Sequence, residues 1–248
     1  MANPNSHRPQ KSSMLVAQRI IRDVMRGGFK AGDSLPHEKT MLEMYSTGRG
    51  TLREALRLLE FQGIITLKPG PGGGPVLLNP DSTHLESTIV LLMELKGAPF
   101  RTIAEVRASL EPLICSLAAT RIEDEKLIEL KQTISQMSEN ITDEYLFLEA
   151  NKRFHDVISW SSGNALFGYI VESLLGIMDG TIVGVDYPPA RRIAIIKAHE
   201  EIFDALAARD ADESEKRMRE HIAAYVTYIE RKFPEVMERV VPWGYPRD

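Results

Sequence analysis

In this chain of 248 residues the apolar pattern turns strand-like in essentially one place, residues 64–79. "IITLKP" and "PVLLN" are short runs of β-branched and apolar residues. The "GPGGG" between them can only be a turn, so the stretch reads as a β-hairpin. Elsewhere apolar residues return every three or four positions, the helical period. One hairpin cannot cover a sheet-based core, so the spacing predicts a mainly α fold. The length suits two small domains, and the hairpin marks the end of the first.

Ahead of the hairpin lie three helical runs. Residues 14–26 are amphipathic, with Leu15, Ile20, Ile21, Val24 and Met25 apolar between arginines. "GGFKAGDSLP" is a turn, "HEKTMLEMY" a short helix with Met41, Leu42 and Tyr45 apolar, and "STG" the turn into "RGTLREALRLLEF". That last helix has an apolar stripe (Leu52, Ala55, Leu56, Leu59, Phe61) and ends at Gly63. Arg49 and Arg53 are four apart and share another face near its N-terminus. Gly50 and Thr51 are small enough to let that end approach another surface closely. The positive end of the helix dipole adds to the two arginines, and such an end suits DNA phosphates and guanine edges. Helix, tight turn, basic-tipped helix and hairpin together make a winged helix-turn-helix. In this reading Arg49 and Arg53 contact bases or phosphates, with Thr51 between them at the DNA surface, while Lys39 and the wing at Gly72 and Gly73 hold the backbone of double-stranded DNA. Charge follows the same division. Residues 1–75 hold 11 Lys and Arg against 6 Asp and Glu, a net of +5, and residues 76–248 hold 19 against 29, a net of −10. The acidic part has no business on a polyanion and must do something else.

From residue 79 a connecting segment and lead-in helix run to about residue 99. Six helical runs joined by short turns follow, and they read as an all-α antiparallel bundle. Thr142 is the expected cap of the third, and Gly163 with Asn164 its stop. The single cysteine, Cys115, excludes an internal disulfide framework and a Cys-rich zinc module. Its apolar neighbours make it a buried thiol rather than a nucleophile. Three of the six histidines lie on or beside inward faces of three different helices: His155, with Asn151 one turn before it, His199 and His221. In bundles, such positions build metal and ligand sites, and imidazole suits Zn, Ni, Cu or Fe. Each histidine taken singly is more often a satisfied core residue than a ligand.

"GDSLPHEKTMLEMYSTGRGTLREALRLLEFQGII" resembles the winged helix-turn-helix of GntR-type bacterial transcription regulators. The skeleton that carries the resemblance is Gly32, Leu35-Pro36, Glu38, Leu42, Arg49, Thr51, Arg53 to Leu56, Leu59-Glu60 and Gly63. Gly48 stands where the family has a serine cap, and Lys39 where arginine is common. The helical part is similar to the FCD effector domain of the FadR-like branch. "NKRFH" fits that domain's Asp/Asn-x3-His motif, and "AHEEIFDAL" and "MREHI" fit its two later histidines. The resemblance implies a divalent metal, Zn or Ni foremost, on Asn151, His155, His199 and His221. It also implies a small organic acid effector held by Arg107, whose guanidinium can grip a carboxylate in a fork. The competing role for Arg107 is an i,i+4 pair with Glu111 on a solvated face.

The expected protein is thus an effector-responsive regulator, a homodimer on a palindromic operator, and not an enzyme. The expected divisions are a disordered arm (1–13), the winged helix-turn-helix (14–78), a linker and lead-in helix (79–99), the effector-binding and dimerisation domain (100–233) and a C-terminal tail (234–248). The alternatives are a metal-dependent helical enzyme fused to a DNA-binding domain, and a regulator whose metal is only structural. No run approaches 18 apolar residues, so no membrane span is expected, and a cytoplasmic location is.

Overall fold

A computed structural model describes residues 12–70, 72–178 and 184–244. Most of the expected arm, the tip residue Pro71 and residues 245–248 lie outside the described residues. The chain divides into two compact units, 1–84 and 85–248.

In the first unit α1 (Ser12–Gly27) buries Ser13, Val16, Ala17 and Ile20. Leu15 and Met25, expected on that face, are exposed. The buried stripe is set by helical phase and includes small residues, so the largest apolar side chains do not mark it. α2 (Glu38–Tyr45) buries Met41 and Tyr45 and ends at Ser46, which is left-handed with φ 48°. α3 (Arg49–Phe61) buries Leu52, Ala55, Leu56 and Leu59. Phe61 leaves the expected stripe: it is 74% exposed, and its ring meets His84 at 5.7 Å. Two positions past Leu59 turn a side chain by about 200°, to the far side.

β1 (Ile65–Lys68) pairs antiparallel with β2 (Gly74–Leu77), from Ile65 opposite Leu77 to Lys68 opposite Gly74. A Cβ on Gly73 would fall 2.2 Å from the Lys68 carbonyl oxygen, so only glycine lets the tip close. The turn before α2 has a second role. Ser34 bridges to Val76, and the Leu35 amide donates to the Pro75 carbonyl at 2.8 Å. The wing therefore has a third, very short edge that no apolar alternation announces.

The second unit consists of α4 (Thr83–Lys96, most of which belongs here), α5 (Arg101–Ala119), α6 (Asp124–Glu139), α7 (Glu144–Ser161), α8 (Ala165–Ile177), α9 (Pro189–Ala207), α10 (Ala211–Lys232) and the single turn α11 (Pro234–Met237). Asp143, Asn164 and Asp210 cap α7, α8 and α10, each accepting a backbone N–H through its side chain. Asp143 takes the place expected of Thr142. Its carboxylate sits at the positive helix end, which favours charge over a hydroxyl. Phe100, Phe147 and Phe154 are fully buried in one apolar core. α5 packs on α10 and α7, and α9 packs on α10 and α6. Part of the expected tail belongs to the core. Val236, Met237 and Val241 are buried, and the Phe100 amide donates to the Arg239 carbonyl at 2.8 Å.

Candidate nucleic-acid interface and metal centre

At the N-terminus of α3, Gly48 is an extended cap with φ −78° and no side-chain hydrogen bond. Arg49, Arg53 and Arg57 are exposed, as is Lys39 at the start of α2, while Thr51 is half-buried. Arg53 is not idle: its Nε donates to Glu38 at 3.2 Å. With both partners exposed, that pair is worth no more than about 1 kcal/mol, so a phosphate or a base edge can replace Glu38. On the wing Gly72 is exposed and Gly73 half-buried. The surface is a set of cations held on short, well-packed helices.

The second unit treats its charged groups in the opposite way. His155 on α7, His199 on α9 and His221 on α10 are all buried, and one nitrogen of each lies within 4.8 Å of the others. The Nε2 atoms of His199 and His221 are 3.3 Å apart, and those of His221 and His155 are 3.4 Å apart. Burial, reinforced by the neighbouring histidines and Arg107, drives His199 well below its usual pKa. Burial likewise depresses His221, helped by His155. Neutral imidazoles offer lone pairs, which is what a metal needs. The Phe154 ring stacks on His199 at 3.9 Å and fixes its plane.

His155 is oriented by a residue that the sequence reading gave no such role. Its Nδ1 is 2.7 Å from Glu111 Oε2. Burial pushes Glu111 up, but Arg107 and His155 outweigh it and hold the carboxyl well below the usual carboxylate range. An ionised Glu111 accepts only, so His155 Nδ1 donates, and Nε2 is the nitrogen turned to the cluster. The other oxygen of Glu111 takes the Nε–H of Arg107. The i,i+4 pair is thus real, but it is not on a solvated face, since both side chains are almost completely buried. Arg107 also points Nη1 at the Met178 sulfur, 3.4 Å away, and lies over the Tyr225 ring at 5.5 Å. Glutamate four residues from arginine looked like surface chemistry; the apolar positions Ile103, Ala104, Ile114 and Cys115 on the same helix were the signal that this face is buried.

Asn151 is half-buried, one turn before His155 on α7. Asp156, which the sequence reading did not single out, is buried beside His155, with Oδ1 unpartnered. Burial raises its carboxyl to about 7. Glu200 is exposed and Glu201 pairs with Arg217 at 3.1 Å, so neither serves the histidines as a base. Cys115 is fully buried, and burial pushes its thiol far up.

The histidine arrangement fits a divalent ion. Two imidazole nitrogens on one tetrahedral zinc, each bonded at about 2.0–2.1 Å, stand roughly 3.3 Å apart. The observed 3.3 and 3.4 Å match that spacing.

A basic-tipped helix-turn-helix with a small wing, joined in one chain to a helical bundle with a buried histidine cluster, defines a class of DNA-binding regulators. Residues 13–73 match the bacterial regulatory proteins, gntR family, and residues 102–224 match the FCD domain. The chain is 32% identical over 207 residues to an uncharacterized HTH-type transcriptional regulator, YcbG, of Bacillus subtilis (strain 168), covering 84% of this chain and 85% of that one. It is 26% identical to the Uxu operon regulator of Haemophilus influenzae, over 84% and 77% of the two chains. It is 24% identical to the HTH-type transcriptional repressor NanR of Edwardsiella tarda, over 86% and 83%. The fold is that of a Streptococcus agalactiae GntR structure, with TM-score 0.71 and 22% identity, covering 87% of this chain and 99% of that one. The chain belongs to the GntR family of bacterial transcription regulators and carries an FCD domain. It is a DNA-binding regulator and not an enzyme. Among the described residues, no helix is long and apolar enough to cross a membrane.

Proposed function

We propose that this regulator works as a homodimer on a palindromic operator and changes its DNA affinity when a small organic acid binds the helical unit beside a divalent metal. The observation that carries the reading is the convergence of three buried imidazoles at metal-ligand spacing inside a domain with no surplus positive charge for DNA. His155, His199 and His221 hold the ion, Zn or Ni by donor chemistry, and Asn151 adds an amide oxygen from the turn before His155. The ion supplies a fixed positive charge for a carboxylate in a site shielded from water. Arg107 serves the site through Glu111, which fixes the orientation of the His155 ring.

On DNA, Arg49, Thr51 and Arg53 face base edges, and Lys39 with Gly72 and Gly73 meets phosphates. A two-fold dimer requires two half-sites of matching symmetry. The effector acts by binding one arrangement of the dimer better than the other. Hydroxyl-radical footprinting upstream of the protein's own gene tests this. The expected pattern is two symmetric protected half-sites that weaken when the native organic acid is added. A single unsymmetric footprint overturns the dimer reading.

The near-complete burial of His155 and His199 also suits a metal that is only structural. In that case the footprint needs zinc but ignores every organic acid.

A further inference from the structure

Three arginines meet the middle of the second unit, and two of them are already engaged. Arg107 is paired with Glu111. Arg192 donates to the Ile141 carbonyl at 2.9 Å, to Glu144 at 3.0 Å and to the Tyr187 carbonyl. The third, Arg191 at the start of α9, pairs with no carboxylate among the described residues. Its Nε is buried without a hydrogen-bond partner. Its guanidinium lies against the Tyr228 ring, 4.7 Å from the centroid. Its charge bears on Tyr187, Tyr225 and Tyr228 and on His221 of the cluster. The Tyr225 hydroxyl is buried too, and it is coupled to the hydroxyl of Tyr187. A buried polar group left unpaired costs roughly 1–3 kcal/mol, and more when charged. Such groups are few in native proteins and each calls for an explanation. Here the Arg191 guanidinium is such a group, and the Tyr225 hydroxyl is a buried donor that an incoming anion can draw away from Tyr187.

We propose that Arg191 and the Tyr225 hydroxyl form the anion subsite of this domain and receive a carboxylate of the effector, in place of Arg107. At Arg107 an incoming carboxylate meets the negative charge of Glu111 and a guanidinium whose Nε–H is already used. At Arg191 no described acid competes, and the Tyr228 ring holds the guanidinium plane, leaving its edge for a two-point contact. Tyr225 lies over Arg107 on its ring face and is within the influence of Arg191, so its hydroxyl is the natural second donor. The proposal takes from the function proposed above only that the effector is an organic acid, and it does not require the metal.

The test uses full-length protein with ¹⁵N-labelled arginine and acetate as the probe, at constant ionic strength against chloride, with and without one equivalent of zinc. The Arg191 Nε–H resonance, assigned by its loss in Arg191→Gln, is expected to shift saturably with acetate while that of Arg107 stays put. Arg191→Gln weakens acetate binding by roughly tenfold or more, as expected for one lost charge-assisted hydrogen bond. Arg191→Lys restores part of it, and Tyr225→Phe weakens it less than Arg191→Gln does. A shift at Arg107 without one at Arg191, or equal acetate affinity in wild type and Arg191→Gln, overturns the proposal. Tighter binding of phosphate than acetate overturns the carboxylate assignment. If zinc fails to bind while acetate still moves Arg191, the metal reading falls and the anion subsite stands.

Discussion

Arg53–Glu38 and Arg107–Glu111 are both arginine–glutamate ion pairs on helices, one in each unit. The first is open to water, with the arginine side chain 67% exposed, and the second is 6% exposed. An exposed pair contributes at most about 1 kcal/mol and is easily exchanged for another anion. In a buried pair each partner is the other's solvation, and removing one leaves a charge with none. The same chemistry thus serves two ends. In the first unit it keeps a cation available for DNA; in the second it fixes the imidazole of a metal-ligand candidate.

Breaking the buried pair is the most severe change expected. Glu111→Ala should cost about 3–5 kcal/mol in denaturant unfolding, whereas Glu38→Ala should cost no more than about 1 kcal/mol. Equal losses would erase the distinction. Next comes Asp156, buried where no cation offsets its charge fully. Its folded pKa, about 7, lies above the unfolded value of about 3.9. The folded state therefore holds a proton that the unfolded state has lost. The stability this provides is present below about pH 4 and disappears as pH rises through 7. In metal-stripped protein, the gain of Asp156→Asn over wild type should grow between pH 4 and pH 8, by an amount on the order of 3–4 kcal/mol. His199 and His221 act with the opposite sign: their folded pKa values are depressed, so stability falls as pH drops below the unfolded value of about 6.5. They are common to both proteins and drop out of the difference. A gain independent of pH would mean that Asp156 is charged at neutral pH.

On the exposed side, Arg49→Ala and Arg53→Ala should each lose about 1–3 kcal/mol of specific operator binding if the side chain reads a base. Lys39→Ala should weaken all sequences alike and lower the salt slope by about one. Gel shifts on operator and scrambled DNA at two salt concentrations separate these outcomes. The smallest effect belongs to Gly48. Its φ is ordinary, and a Cβ there meets nothing within 4 Å. Gly48→Ser should add a few tenths of a kcal/mol of stability by capping α3.

The exposed surface was legible in the sequence because it depends on neighbours along the chain. Arg49 and Arg53 share a face by spacing alone, and Gly63 and the glycine-rich tip announce their turns. Legibility failed where the partner is distant in sequence. Glu111 meets His155 from another helix, 44 positions away, and Ser34 joins the wing through one bridge to Val76. It also failed where helical phase overrides residue type, as at Leu15, Met25 and Phe61. The three histidines were individually visible on inward faces. Their convergence depends on how α7, α9 and α10 pack, which no spacing along one helix encodes.

The most direct test of the metal-centred account is a calorimetric titration of zinc into metal-stripped full-length protein, repeated on His221→Gln, with thermal melts to confirm that both are folded. One zinc per chain in wild type, with X-ray absorption showing three nitrogen donors, and loss of that binding in folded His221→Gln, is the predicted result. No zinc uptake by the folded wild type, or the same uptake in His221→Gln, would contradict it.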